Sequence, residues 1–162
     1  MAVTISGSGQ VPVQVQSVVK TDTFTMASTT FADITGLSVN ITPTNSANKV
    51  LVIAHVNNVG TTSTSSSGIR LVRNSTAISV GDVAGTRTQV SGGSNYGVVG
   101  VTITGDSIVF LDSPATTSSV TYKIQIQAYS STAYVNRSGA DTNDPAYYRT
   151  VSSITVMEIS GT

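Results

Sequence analysis

Residues 49–56, KVLVIAHV, form the longest apolar run in the chain, and their flanks confine it. TPTNSAN before the run and NNVGTTSTSSSG after it are turn and loop compositions, which leave room for about seven or eight residues of regular structure. Within the run, Val50, Leu51, Val52, Ile53, Ala54 and Val56 are interrupted only by His55, and most are stiff at χ1 and suited to a pleated surface. The expectation is a central strand buried on both faces.

The rest of the chain supplies its neighbours. Residues 10–19 alternate Val11, Val13 and Val15 with Pro12, Gln14 and Gln16, and Pro12 cannot donate to a ladder, which favours an edge. Two readings stand for this segment: an N-terminal arm over residues 1–20 that pairs with another chain, or a first strand in its own sheet. Residues 21–26 are a short candidate, and Phe31, Ile34, Leu37, Val39 and Ile41 mark a longer one that Gly36 interrupts with a bulge or bend. Residues 57–68 hold almost only Asn, Gly, Thr and Ser and are expected to be a long exposed loop.

Residues 69–80 read as a hairpin about Asn74-Ser75, because Asn tolerates the positive φ of tight turns. Short strands are expected at 86–90, 96–104 and 107–111. The clearest alternation is 120–129, VTYKIQIQAY, with Val120, Tyr122, Ile124, Ile126 and Ala128 on one side. Its other side, including Gln125 and Gln127, is an amide ladder facing water or a partner. A short AYVN strand and a last strand through Val151, Ile154, Val156 and Ile159 complete the set.

No apolar residues recur at helical spacing over two turns, and with one Glu and three Lys the chain is short of helix formers. About ten short strands separated by turns predict an all-β fold: an antiparallel two-sheet β-sandwich, or jelly roll, over residues 21–162.

Composition then narrows function. Only 10% of the 162 residues are charged, whereas Ser and Thr together number 49, so hydroxyls and amides keep the surface wet. Basic and acidic residues balance at eight each without clustering, which argues against nucleic acid and anionic membranes as partners. The opening residues lack a basic, then apolar, leader pattern, and no run approaches the length of a membrane span, so synthesis and use from the cytosol are expected. Cysteine is absent, which removes disulfides, thiolate metal sites and thiol nucleophiles. Asn40, Asn74 and Asn136 begin glycosylation tripeptides, as chance matches do in a chain this rich in Ser and Thr.

No chemistry announces itself. His55 is the one histidine, and a triad or zinc site needs companions that the sequence does not place beside it. It is expected to be structural or at an interface, on one face with Leu51 and Ile53, and there either hydrogen-bonded or subunit-facing. Asp141, Asn143 and Asp144 offer oxygen ligands without the Glu that closes an EF-hand loop, so a solvated turn before Pro145 is the plainer reading, and calcium is left open. GGSNYG is followed by no helix to hold a phosphate. The acidic residues show no evident glycosidase pair. No catalytic, cofactor or metal site is therefore assigned. Tyr134, Arg137, Tyr147, Tyr148 and Arg149 are residue types that carry interface energy, and either surface packing or a subunit or ligand contact accounts for them.

Three segments together resemble structural proteins of tailed bacteriophages, especially marine ones, that carry a jelly-roll domain of the tumour-necrosis-factor and C1q type. They are TTFADITGLSVNITPTNSANKVLVIAHV, RLVRNSTAISVGDVAGTR and AYVNRSGADTNDPAYYRTVSSITVMEI, spanning residues 29–159. The resemblance implies a non-enzymatic virion surface protein, commonly a homotrimer in which one sheet of each sandwich faces the threefold axis. A capsid decoration protein (head fibre or cement) is expected, with the arm bound to the major capsid protein or another virion protein. A tail-fibre tip or receptor-binding module touching host carbohydrate is the alternative. Val11, Val13, Val15, His55, Gln125, Gln127 and the Tyr and Arg residues of 134–149 are the expected interface.

Overall fold

The computed structural model describes residues 12–60, 66–95 and 103–161. These form eleven strands and no helix: β1 (Pro12–Lys20), β2 (Phe24–Met26), β3 (Ala32–Ile41), β4 (Lys49–Gly60), β5 (Ser66–Arg73), β6 (Thr76–Ile78), β7 (Gly92–Asn95), β8 (Thr104–Asp112), β9 (Val120–Ala128), β10 (Ala133–Val135) and β11 (Ser152–Ile159). Every pairing is antiparallel.

One sheet runs β1-β11-β4, and β8 pairs with the opposite edge of β4. β10 takes over from β11 beside the last residues of β4, and β2 pairs with β10 as β1 does with β11. The second sheet runs β3-β9-β5, with β6 and β7 sharing the far edge of β5. Taking β1/β2, β6/β7 and β10/β11 as interrupted single strands leaves eight. Their order is first-eighth-third-sixth in one sheet and second-seventh-fourth-fifth in the other, the jelly roll of two antiparallel sheets that the alternating pattern predicts.

The core lies between the sheets. β9 alternates buried and half-buried residues without a break, so Val120, Tyr122, Ile124, Ile126 and Ala128 point inward. Opposite them stand Val50, Val52, Ala54 and Val56 of β4, with Ile154 and Val156 of β11 beside them in register. Gly36 has φ +85°, and the β3–β9 register shifts between Asp33 and Ser38, so the bulge falls where a residue without Cβ permits it. Asn74 turns the β5–β6 hairpin at φ +54°.

Three expectations are corrected. The run 49–56 is buried on one face only: Leu51, Ile53 and His55 point out of the sandwich. The loop expected at 57–68 is strand at both described ends, because β4 continues to Gly60 paired with β10 and β5 begins at Ser66. Residues 86–90 are a looped connection between β6 and β7 rather than a strand, since Gln89 and Val90 bond back to Gly81 instead of joining a ladder. For residues 12–20 the second reading holds: they pair with β11 as an edge strand of the chain's own sheet.

Polar side chains close the ends of the core. Glu158 is fully buried, and its carboxylate accepts from Gln14 Nε2 at 2.7 Å, Asn48 Nδ2, and the Thr44 amide and hydroxyl at 2.7 and 2.8 Å. Burial pushes its pKa up, but the hydrogen bonds from Asn48, Gln14 and Thr44 outweigh that and hold it at about 2. Asp112 accepts from the Tyr122 hydroxyl at 2.6 Å and from Arg73 Nη1 at 2.9 Å, joining β8 to β9 and β5 across the sandwich. Burial, and then the bond to Asp112, raise the Tyr122 phenol well above the usual tyrosine range.

Asn136, at φ +62° and fully buried, donates to the carbonyls of Lys20 and Asp22 and accepts from Ser152. It thereby pins the β1–β2 corner to β11, and its amide is not available as a glycan acceptor.

Candidate functional site

The strand register places the side chains of four strands in rows on the outer face of the β1-β11-β4-β8 sheet. Val15, Met157, Leu51 and Leu111 make one row; Ser17, Thr155, Ile53 and Val109 the next; Val19, Ser153, His55 and Ser107 the third. No Asp, Glu, Lys or Arg stands in these three rows. Ile53 is 38% exposed, Leu111 51% and Val109 67%, and Val13, Val15 and Val19 of the edge strand are similarly open. Lys49 stands beyond these rows at the start of β4, and three uncharged rows with this much apolar surface are the kind of patch that marks an interaction site on a soluble domain.

Polar contacts on the face are internal and short. Ser17 and Thr155 share a hydroxyl–hydroxyl hydrogen bond at 2.8 Å. His55 Nδ1 meets Ser107 Oγ at 3.1 Å, so the imidazole is exposed, hydrogen-bonded and on one face with Leu51 and Ile53. Gly105 lies against the same ring: a Cβ there would come within 2.7 Å of His55 Cε1. Val13 and Val15, two of the residues expected at an interface, reach this face, while Val11 lies outside the described residues.

Sequence reasoning missed Ile53, Val109, Leu111, Met157 and Val19 as members. Their signal was present: residues 50–54 and 108–111 are apolar at consecutive positions, which a strand with one wet face does not need.

The other expected residues are dispersed. Gln125 lies on the outside of the second sheet, where its amide donates to Asp33 at 2.7 Å and accepts from Arg70 at 2.9 Å, and Arg70 stacks on Phe31. Lys123 pairs with the same Asp33, and burial of that carboxylate is outweighed by Lys123 and Gln125, so its pKa is lowered. Gln127 is the next member of this ladder, with its side-chain amide unbonded among the described residues.

Tyr134, Arg137 and Arg149 gather at one end of the sandwich. Arg137 stacks on the Tyr134 ring at 3.9 Å and donates to the carbonyls of Ser138 and Gly139. Both arginines pair with Asp141, at 3.4 and 2.7 Å. Two guanidiniums on one carboxylate repel a cation, and Asp144 caps its own turn through the Ala146 amide, so this segment is a braced turn. Among the described residues no group of three metal-ligating side chains occurs. Tyr147 is half-buried and Tyr148 exposed on the same turn.

A second feature is an open groove of about 460 Å³ on the outside of the other sheet, lined by the start of β5, by β7, by residues 86–91 and by Gln127 and Tyr129. Among the described carboxylates, Asp112 and Glu158 flank Val50 on neighbouring strands of the first sheet. Both face the core, and their oxygens are held by the bonds given above.

No protein-family model matches the chain, and comparison with characterised proteins returns no match.

Proposed function

We propose that the protein is a non-enzymatic structural protein of a tailed-bacteriophage virion, a capsid decoration protein of the head-fibre or cement kind that self-assembles as a homotrimer. The observation that carries the assembly is the set of three uncharged rows on the outer face of the β1-β11-β4-β8 sheet, open in a single chain. A sheet apolar on both sides stays soluble by covering the second side, and a closed ring of identical copies gathers the patch that each carries around one axis. Closed threefold packing of this face is the arrangement that the bacteriophage resemblance implies, and that resemblance supports the location on the virion. In this reading residues 1–11, continuous with the edge strand β1, reach the major capsid protein or another virion protein.

The test is the mass of the purified chain in solution. A value three times the chain mass is expected; a monomer at micromolar concentration overturns the assembly, and cryo-microscopy of virions without a copy on the capsid overturns the location. The groove beside Tyr129 favours a second reading, a tail-fibre tip or receptor-binding module that touches host carbohydrate.

A further inference from the structure

Glycines in the floor of the groove let its wall pack down onto the sheet. Gly68 of β5 stands in register between Gln127 of β9 and Gly93 of β7, all on the outer face of the second sheet. Val90 closes over Gly68 so tightly that a Cβ there would lie 2.7 Å from Val90 Cγ1. The wall, residues 86–91, is pinned: the Ser91 amide donates to the Ile69 carbonyl, the Ser91 hydroxyl accepts from the Leu71 amide, and Gln89 donates to the Gly81 carbonyl at 2.6 Å. Such a wall is ordered before any ligand arrives, which removes part of the entropic cost of binding.

Three side chains line the groove with donors or ring surface to spare among the described residues. The Tyr129 ring is 69% exposed, while its backbone amide is fixed to the Ser66 carbonyl at 2.9 Å. Arg87 makes no ion pair among the described residues, and its guanidinium donates to the Ala84 carbonyl alone. The Gln127 amide has no bond among the described residues, and Ser66, Thr86 and Thr88 add hydroxyls.

We infer that this groove binds a saccharide bearing a carboxylate, with the Tyr129 ring against the apolar face of a sugar, Arg87 on the carboxylate, and Gln127 and Ser66 on ring hydroxyls. A planar guanidinium suits a carboxylate bidentately, and an open aromatic ring with a polar surround suits a ligand that has one apolar face and many hydroxyls. A single cation is too little for a polyphosphate, and the hydroxyl-lined wall excludes a lipid chain. The inference rests on the second reading above for placing a glycan contact on this protein, and it does not depend on assembly through the opposite sheet.

The experiment is a glycan array displaying matched oligosaccharides ending in glucuronate, galacturonate, glucose or galactose, probed with the labelled full chain. Uronate-terminated glycans are expected to bind at least about tenfold more tightly than their neutral matches, the scale of one charge-assisted contact. Arg87→Gln should erase that preference, and Tyr129→Ala should weaken both classes by about tenfold; both residues are exposed, and unchanged circular dichroism confirms folding. Equal binding of neutral and acidic glycans, or a preference that survives Arg87→Gln, overturns the acidic ligand and leaves the second reading standing. Binding to no glycan overturns both.

Discussion

Gln14 and Glu158, 144 positions apart, are joined by a 2.7 Å hydrogen bond that fastens the edge strand β1 to the last strand at the closed end of the core. The same carboxylate holds Thr44 and Asn48 of the β3–β4 connection, so one buried anion, with no ion pair among the described residues, ties three parts of the chain together through neutral donors.

Glu158→Gln is expected to destabilise the fold by about 3 kcal/mol, because the new amide NH₂ faces donors and buried charge-assisted bonds are lost. Denaturant unfolding measures it, and a loss below about 0.5 kcal/mol, the range of an ordinary surface substitution, would contradict the assigned network.

The same group makes stability depend on acid. Its folded pKa, about 2, lies below its ordinary value of 4.5, so its contribution is complete above the ordinary value and is lost as the pH falls from there towards 2. Wild type should lose stability through that window, and Glu158→Gln should show a flatter pH profile there.

Tyr122→Phe removes the hydroxyl that donates to Asp112 and leaves the buried carboxylate with Arg73 alone. A loss of about 2 kcal/mol is expected, with the same fold by circular dichroism. Combining it with Arg73→Leu should be non-additive, since both side chains serve one acceptor.

Gly36→Ala tests the β3 bulge. A Cβ there meets Lys20 Nζ at an unstrained 3.7 Å, so the cost is that of φ +85° alone, about 1 kcal/mol. A neutral result would place the bulge elsewhere.

Val109→Lys with Leu111→Lys places two charges on the outer face without touching the core. The chain should sediment as a monomer, with folding stability at low concentration changed by no more than about 0.5 kcal/mol per site. An unchanged oligomer would move the interface to another surface.

Much of the fold was legible because its signals are local. The alternation of 120–128, the Asn74 turn and the Gly36 bulge each depend on a few neighbouring residues, and each lies where the pattern predicts. The terminal strand was legible too, but Val151 is exposed and Ile159 lies off the buried face, and it is Glu158 that stands there with Ile154 and Val156. Its partners were not, since Thr44, Asn48 and Gln14 reach it through loop closures of more than 100 residues. The Tyr and Arg residues of 134–149 looked available by type alone, yet Arg137 and Arg149 are paired with Asp141, a contact set by the path of the turn.

By itself, then, the sequence determined the all-β class, the inward parity of a strand as regularly alternating as β9 and the absence of helix-forming pattern, because side-chain period and turn chemistry act within a few residues. Only the tertiary structure decided which strands are neighbours. That choice lines up Leu51, Ile53, Val109, Leu111, Met157 and the edge valines in uncharged rows on one face, and brings Arg87, Gln127 and Tyr129 around a glycine floor. Both surfaces are products of register between strands distant in the chain, which no local pattern encodes.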